Sequence, residues 1–462
     1  MLRYFRINDP YRLIGLLVLM VMASLPLLID MPLPTIQEIK DLIVGERVGN
    51  KILYVELVDR TPPMMAVMDG LMNTIVGRSL LARHIIALVL LLFQAAYFAI
   101  LLINNRAYNE NTYVPSLIFG FLCFYSFDVL SLSPEVLAST LILLALNNIF
   151  KEIEFRVDRD SIRLNLGIFI GLASLIVFSY AIFLVGAILI LTLFARTTFR
   201  KIMLVVIGFA LVHGILFTLY YYYGNVHDLW RNFYMGNFQS GESLLSNTSF
   251  LWLGAIPVFF FVMSLFMLNR EARFTRYQSQ IYQVLFMWSG VAAIELWVHP
   301  GLAPHNFITF FPPLAYFISH YLLLIRRKRI AEFMLWLLIG GLLMVNYTSR
   351  KGMIEEINYT RLFAQPSPFA QQFKNKRVMV VGEDIGLYSQ NSLGGGFADW
   401  QLSREYFENP DTYENVIRLN SAFEEDPPEV IIDELNLMPR VFDRLPRVRA
   451  LYDREGVIYQ RR

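Results

Sequence analysis

Apolar residues dominate the first three quarters of the chain, in long runs separated by short polar breaks. A helix needs about 20 apolar residues to cross a bilayer core, because its backbone groups must bond internally there. We therefore predict an all-α polytopic membrane domain over residues 1–346. Eleven candidate spans lie in it: 13–29, 82–103, 113–127, 134–150, 164–179, 181–195, 202–223, 250–268, 281–298, 306–325 and 331–346.

Two regions of this pattern are ambiguous in their local structure. The run 164–195 allows either one long tilted helix or two short helices that meet near Ser179 and Tyr180. The run 113–150 is interrupted by the polar segment 128–134, which predicts a turn.

The pattern changes in residues 347–462, where polar residues are frequent and apolar runs are short. Strand patterns alternate there with helical ones, which predicts a small α/β domain. The predicted strands are 378–381, 428–433 and 456–459, and the predicted helices are 398–408 and 436–451. The triple glycine 394–396 lacks the spacing of a dinucleotide-binding fingerprint, so we predict a flexible loop.

Composition narrows the class of protein further. The chain of 462 residues is 56% hydrophobic and only 17% charged, which excludes a disordered or wholly soluble chain. The net charge of +2 gives no electrostatic reason to expect nucleic acid as a partner. The single cysteine, Cys123, excludes an intramolecular disulfide and a cysteine-cluster metal site.

Lysine and arginine concentrate in alternate breaks between the spans, among them the segments that contain Arg156 and Arg196. The positive-inside rule then places the N-terminus in the cytoplasm. The loop 30–81 and the domain 347–462 fall on the outer, periplasmic side of a bacterial inner membrane. The first span lacks a small-residue cleavage site and is predicted to stay as an anchor.

The outer loop 30–81 carries the first candidate chemistry. Apolar positions in 36–44 predict a helix at the membrane surface. Glu56 and Asp59 are three residues apart, so a helix would place both on one face, and Pro62 and Pro63 would end that helix. Asp59 is then either a general base or metal ligand, or a solvated loop acid paired with Arg60.

Further polar residues fall at the same outer level of the predicted spans, where ionisable groups are costly and often functional. The two histidines among them have no third ligand at metal spacing, so we predict no zinc site and no cofactor, with a divalent metal left open. A tyrosine run at 220–223 is typical of an interfacial aromatic belt, and sugar stacking is the alternative. The polar residues are Asp128, Glu135, Glu242, Glu295, His299, His305 and Asn306.

Two resemblances follow from short motifs. The segment 59–66, continuing through 75–83, resembles the opening of the GT-C superfamily of integral-membrane glycosyltransferases, of the protein mannosyltransferase and aminoarabinose transferase type. The step 132–137 and the tail segments 426–433 and 457–461 are similar to later parts of such proteins. A closer resemblance is to an uncharacterised multipass family of Bacteroidota, in the segments 4–10, 130–135, 171–175 and 326–332.

The GT-C resemblance implies transfer of a sugar from a polyprenyl-phosphate donor to an unidentified acceptor at the outer face of the membrane. It implies Asp59 as the catalytic acid, with Glu56 offset from the adjacent acid that the superfamily usually carries. Arg60, Arg78 and Arg83 match by position the basic residues that would hold the donor phosphate. The other polar residues of the outer level would contact substrate.

Two other functions fit the same sequence. A non-catalytic membrane scaffold or assembly component could keep a GT-C-like fold. A transporter is the third alternative, but charges within the spans are sparse and no inverted repeat is evident.

Overall fold

The computed structural model describes residues 1–154, 159–195, 197–238, 243–299 and 301–462. Contacts between Cα atoms divide the chain into two compact units, which we describe separately. Unit 1 comprises Met1–Pro32, Leu81–Leu216 and Ser240–Arg361, and unit 2 comprises Leu33–Leu80, Phe217–Gln239 and Leu362–Arg462. The domain boundary at residue 346 stays a prediction.

Helices make up most of the described chain. In order they are α1 (Leu2–Phe5), α2 (Arg12–Ile29), α3 (Ile36–Arg47), α4 (Pro63–Val76), α5 (Leu80–Asn104), α6 (Val114–Leu122), α7 (Pro134–Ile153), α8 (Asp160–Ser174), α9 (Ile182–Phe194), α10 (Phe199–Tyr222), α11 (Val226–Asp228), α12 (Gly236–Phe238), α13 (Asn247–Glu271), α14 (Arg276–Val298), α15 (Phe311–Leu324), α16 (Lys328–Arg350), α17 (Trp400–Glu408), α18 (Tyr413–Glu425), α19 (Met438–Arg444) and α20 (Pro446–Arg449). Short 3₁₀ turns occupy Phe127–Leu130, Phe178–Ala181, Pro304–Phe310 and Ile385–Ser389, and a π-helical segment occupies Leu229–Met235.

Every predicted span coincides with a helix, but the helices differ in length. Among the described residues, eight are long and apolar enough to cross a bilayer: α2, α5, α7, α10, α13, α14, α16 and the continuous segment Pro304–Leu324. The predicted spans 113–127, 164–179 and 181–195 correspond to the shorter helices α6, α8 and α9. The nine residues of α6 extend over only about 14 Å. The polytopic helical membrane domain is thus confirmed, whereas the count of eleven spans is not.

The two ambiguous runs are resolved in unit 1. The run 164–195 forms two helices, α8 and α9, joined through the 3₁₀ turn Phe178–Ala181. The segment 128–134 is a turn, as predicted, and Ser133 caps α7 by accepting a hydrogen bond from the Val136 amide at 3.4 Å. Orientation in the membrane stays a prediction, and Arg156, Arg196 and Glu242 lie outside the described residues.

Glycines allow two helices of unit 1 to approach closely. A Cβ atom on Gly167 of α8 would lie 1.9 Å from the Val205 carbonyl oxygen, and one on Gly208 of α10 would lie 2.2 Å from the Leu164 carbonyl oxygen. Small residues let helix backbones meet in this way where lipid removes the usual hydrophobic drive for association.

Unit 2 contains a five-stranded sheet in the order β2-β1-β3-β5-β4, made of β1 (Arg377–Val381), β2 (Ser392–Leu393), β3 (Val430–Asp433), β4 (Tyr452–Glu455) and β5 (Ile458–Arg461). β1 pairs in parallel with β2 and β3, whereas β5 pairs antiparallel with β3 and β4. The small α/β fold of the tail is confirmed, with α18, β2 and β4 as additions. The predicted helix 436–451 is divided by Pro446 into α19 and α20.

In the loop 30–81 one predicted element is confirmed and two expectations need correction. The helix α3 forms as predicted, and a reciprocal capping box between Thr35 and Glu38 fixes its start. Pro63, however, begins helix α4 rather than ending one, because the first helical position needs no backbone N–H. Residues 53–58 form a bridged turn and not a helix, so Glu56 and Asp59 do not share a helix face.

The triple-glycine loop is an irregular loop, as predicted, but it is closely packed. It follows the short strand β2, and both Gly395 and Gly396 have positive φ angles. The Gly394 amide donates to the Val378 carbonyl at 2.8 Å, and the Gly395 amide donates to the Asp426 carbonyl at 3.0 Å. A Cβ atom on Gly396 would lie 2.3 Å from the Glu56 carbonyl oxygen, so only glycine fits there.

Candidate functional site

Unit 1 gathers the polar residues that the sequence placed at the outer level of the spans. Three chain segments contribute them: the turn and first helical position around 128–135, the end of α14, and the 3₁₀ turn before α15. Short turns, rather than long helices, present most of these side chains. The members are Asp128, Glu135, Glu295, His299, His305 and Asn306.

His305 lies at the centre of this network, between two carboxylates. Its Nδ1 atom is 2.5 Å from Asp128 Oδ2, and its Nε2 atom is 3.2 Å from Glu135 Oε2. The backbone amide of His305 also donates to Asp128 Oδ2, at 3.2 Å. All three residues are at most 5% exposed. Two buried carboxylates therefore flank one imidazole ring.

A second histidine extends the network. Asn306 Nδ2 lies 3.4 Å from Glu135 Oε1 and 3.1 Å from His299 Nε2, and His299 Nδ1 lies 2.7 Å from the Gly301 carbonyl oxygen. Burial alone would lower the pKa of His299, but the hydrogen bond with Glu135 and the carboxylates of Glu295 and Glu135 raise it above its ordinary value. The His299 side chain is 13% exposed, so it reaches the surface of unit 1.

Glu295 is completely buried within α14. It accepts a hydrogen bond from Ser179 Oγ at 2.7 Å, which explains the polar break between α8 and α9. Across the described residues, no group of three or more histidine, cysteine, aspartate or glutamate side chains has the arrangement of a metal site. Hydrogen bonds and ion pairs join the acids and histidines of the network, while Glu295 Oε2 has no hydrogen-bond partner among the described residues.

The second predicted site lies in unit 2, around Asp59. This residue is 3% exposed, and its Oδ2 atom has no hydrogen-bond partner among the described residues. The alternative of a solvated acid paired with Arg60 does not hold, because Arg60 pairs with Asp399 instead. Arg60 Nε is 2.6 Å from Asp399 Oδ2, and Arg60 Nη2 is 3.1 Å from Asp399 Oδ1.

Electrostatics separate the two aspartates of this site. Burial and the neighbouring Asp399 raise the pKa of Asp59, although Thr61 and Lys40 act in the opposite direction. Burial would also raise the pKa of Asp399, but Lys40 and Arg60 bring it below its usual value. The surroundings thus move the pKa values of the two carboxylates in opposite directions.

The other residues that we predicted to act with Asp59 make different contacts. Glu56 accepts a hydrogen bond from its neighbour Ile52 N at 2.9 Å. Arg78 lies 2.5 Å from Glu46 and donates to the carbonyl oxygens of Tyr388 and Ser389, so it ties the loop to the C-terminal segment. Arg83 is buried in the first turn of α5 in unit 1. The roles assigned to these residues stay predictions.

Sequence reasoning missed two residues of the Asp59 site. Lys40 lies on α3, within a segment that we interpreted only as a surface helix. Asp399 accepts a hydrogen bond from Leu402 N at 3.2 Å and so caps α17. An aspartate directly before a helical segment predicts such a cap, but nothing local indicates that Arg60 lies opposite.

The fold agrees with that of a known class of membrane proteins. Two crystal structures of ArnT from Cupriavidus metallidurans, a GT-C superfamily member, each match 96% of this chain and 97% of their own. The apo structure gives a TM-score of 0.58 at 13% identity, and the structure bound to undecaprenyl phosphate gives 0.53 at 12%. The chain therefore has the GT-C fold that the sequence resemblance predicted.

An oligosaccharyltransferase from Archaeoglobus fulgidus, tethered to an acceptor peptide containing the NVT sequon, also matches. It covers 96% of this chain and 72% of its own, at 10% identity and a TM-score of 0.48. No family model and no curated protein matches the sequence. The resemblance to the multipass family of Bacteroidota stays a prediction.

Proposed function

We propose that this protein is a GT-C-type membrane glycosyltransferase that moves a sugar from a polyprenyl-phosphate donor to an acceptor hydroxyl or amine at the outer face of the bacterial inner membrane. The proposal is supported by a fold shared over nearly the full length with ArnT, which has been crystallised with undecaprenyl phosphate bound. A polytopic helical domain suits a donor whose lipid chain stays in the bilayer.

The single observation that carries the proposal is the state of Asp59. It is a buried carboxylate with an unused oxygen, and its pKa is raised by burial and by Asp399. A general base works best when its pKa lies near the working pH, because it is then both ionised and sufficiently basic. Asp59 therefore takes the role of base toward the acceptor.

The proposed reaction is a substitution at the anomeric carbon of the donor. Asp59 Oδ2 accepts the proton of the acceptor, whose oxygen or nitrogen forms the new bond to the anomeric carbon. The bond from that carbon to the phosphate oxygen breaks, and the polyprenyl phosphate leaves with the electron pair. Lys40 supplies positive charge near Asp59 for the leaving phosphate.

The network in unit 1 has a supporting role in this proposal. His299 is the member that reaches the surface, where it can contact a polar group of a substrate, and the buried Asn306 holds it at 3.1 Å. Glu135, His305 and Asp128 lie behind this pair and hold it by hydrogen bonds and ion pairs. Their contribution is to orientation, because their own polar atoms bond mainly to one another.

The test is a transfer assay on the purified full chain in lipid nanodiscs, with a panel of polyprenyl-phosphate sugars as donors and a membrane extract as source of acceptor. Asp59→Asn keeps the size of the side chain but cannot accept a proton. We expect it to lower the transfer rate by about 10²–10⁴-fold with folding unchanged. Glu56→Gln is the matched control, since it removes an acid three residues away that is hydrogen-bonded within its own turn.

Two outcomes would contradict the proposal in different ways. Full activity in Asp59→Asn would remove the base assignment while leaving the transfer reaction intact. No transfer by the wild-type chain with any donor, together with normal complementation of a deletion strain by Asp59→Asn, would favour the non-catalytic scaffold.

A further inference from the structure

The C-terminal segment of unit 2 reaches Asp59 through the backbone. Val58 N donates to the Gly396 carbonyl at 2.8 Å, and the amides of Ala398 and Asp399 both donate to the Val58 carbonyl at 3.1 Å. These bonds form a short parallel bridge between Val58 and Phe397. Asp59 and Asp399 come just after the two bridged residues, so they are neighbours in space, although 340 positions separate them in the chain.

Arg60 directly follows Asp59 in the chain and is the cation that pairs with Asp399. Its guanidinium group makes a two-bond pair with Asp399 and also donates to Gln401 Oε1 at 3.0 Å. Bidentate pairs of this kind are geometrically specific and strong. Asp399 is only 4% exposed and is fixed as the cap of α17, so it holds the arginine in one place.

We propose that Asp399 is a positioning residue that keeps Arg60 away from Asp59, so that the Asp59 carboxylate stays available as a proton acceptor. The inference rests on the proposed function, because it assigns Asp59 the role of base. It makes the C-terminal segment a functional part of the site. An arginine pairing directly with Asp59 would make that carboxylate a weaker base and would occupy its unused oxygen.

The charges around Asp59 predict shifts of opposite sign for two single variants. The groups that act on it are Lys40 from α3, the backbone of Arg60, Asp399 across the bridge, and the hydroxyl groups of Thr61 and Tyr54. Asp399→Asn leaves Arg60 without its partner and adds net positive charge near Asp59, which lowers the pKa of Asp59. Arg60→Gln leaves Asp399 unneutralised, which raises the pKa of Asp59. The double variant removes both charges and should restore a value near that of the wild type.

The experiment is an infrared pH titration of the full chain in nanodiscs. The spectrum of Asp59→Asn, subtracted from that of the parent protein, isolates the C=O band of the protonated Asp59 carboxyl group. We expect Asp399→Asn to move the midpoint of that band down by about one pH unit or more, and Arg60→Gln to move it up. Glu405→Gln is the matched control, because its exposed pair with Arg231 lies on the same helix as the Asp399 cap.

Several outcomes decide the inference. An unchanged midpoint in both single variants would overturn it, as would shifts of the same sign in both. If Asp399→Asn does not fold, the midpoints of Arg60→Gln and of the double variant provide the test. Because this titration needs no substrate, it is independent of the transfer assay: midpoints that shift as expected in a protein without transfer activity would refute the proposed function alone. In an active protein, the acid limb of the pH–rate profile should follow the same shifts.

Discussion

Replacement of His305 by alanine tests whether the buried network of unit 1 holds this part of the fold together. His305 pairs with Asp128 at 2.5 Å and with Glu135 at 3.2 Å, and neither carboxylate is more than 4% exposed. Each charge-assisted hydrogen bond contributes about 1.5–3 kcal/mol, and removing one partner of a buried ion pair typically costs about 3–5 kcal/mol. We expect a loss of about 3–5 kcal/mol in the free energy of unfolding.

The assay is thermal denaturation in a mild detergent, followed by intrinsic tryptophan fluorescence at pH 7. At about 2–4 °C per kcal/mol for a large domain, the midpoint should fall by roughly 6–20 °C. His305→Gln, which keeps one hydrogen bond but carries no charge, should fall between the alanine variant and the wild type.

Glu110→Gln serves as the control for nonspecific effects of charge removal. Its partner Arg6 lies 2.6 Å away, but the two side chains are 39% and 42% exposed, so we expect less than about 1 kcal/mol. A loss below about 1 kcal/mol for His305→Ala at pH 7 would refute the reasoning.

Three further changes test the packing of the two units. Gly208→Leu adds a side chain at a position where a Cβ atom alone would lie 2.2 Å from a carbonyl oxygen of α8. We expect a loss of about 1–3 kcal/mol or more in the free energy of unfolding, measured by thermal denaturation. A stable variant would contradict the close helix approach. Asp426→Asn removes the acid 3.1 Å from Arg47 and should speed proteolysis of the C-terminal segment several-fold; unchanged digestion would show that this ion pair is dispensable. Thr35→Ala removes the cap of α3 and should cost about 1 kcal/mol of unfolding free energy, measured by the same thermal assay with Thr360→Ala as an exposed control.

Much of the candidate network in unit 1 could be expected from the sequence. Polar residues at the ends of apolar runs, on one side of a predicted bilayer, fall at one level because helices of similar length begin and end together. That argument selected Asp128, Glu135 and Glu295 together with the two histidines and Asn306. It could not show that His305 lies between two acids, because that contact depends on how three separate segments pack.

The Asp59 site was less accessible to sequence reasoning. The acid itself could be selected from its place before two prolines, but its partners come from elsewhere. Asp399 belongs to a segment 340 residues further along the chain, and it takes Arg60, which sequence proximity had assigned to Asp59. The two prolines were misinterpreted for a local reason, since proline both ends one helix and suits the first position of the next.

The sequence by itself determined the class of protein and the place of its helices, because the need to bond every backbone group inside a bilayer leaves long apolar runs one regular structure. It also determined the small α/β tail, whose buried strands have their own pattern. Tertiary structure alone decided where the short helices α6, α8 and α9 begin and end, and which acid Arg60 neutralises. Those outcomes follow from packing and charge between distant segments, where burial makes each pairing strong and local patterns carry no information.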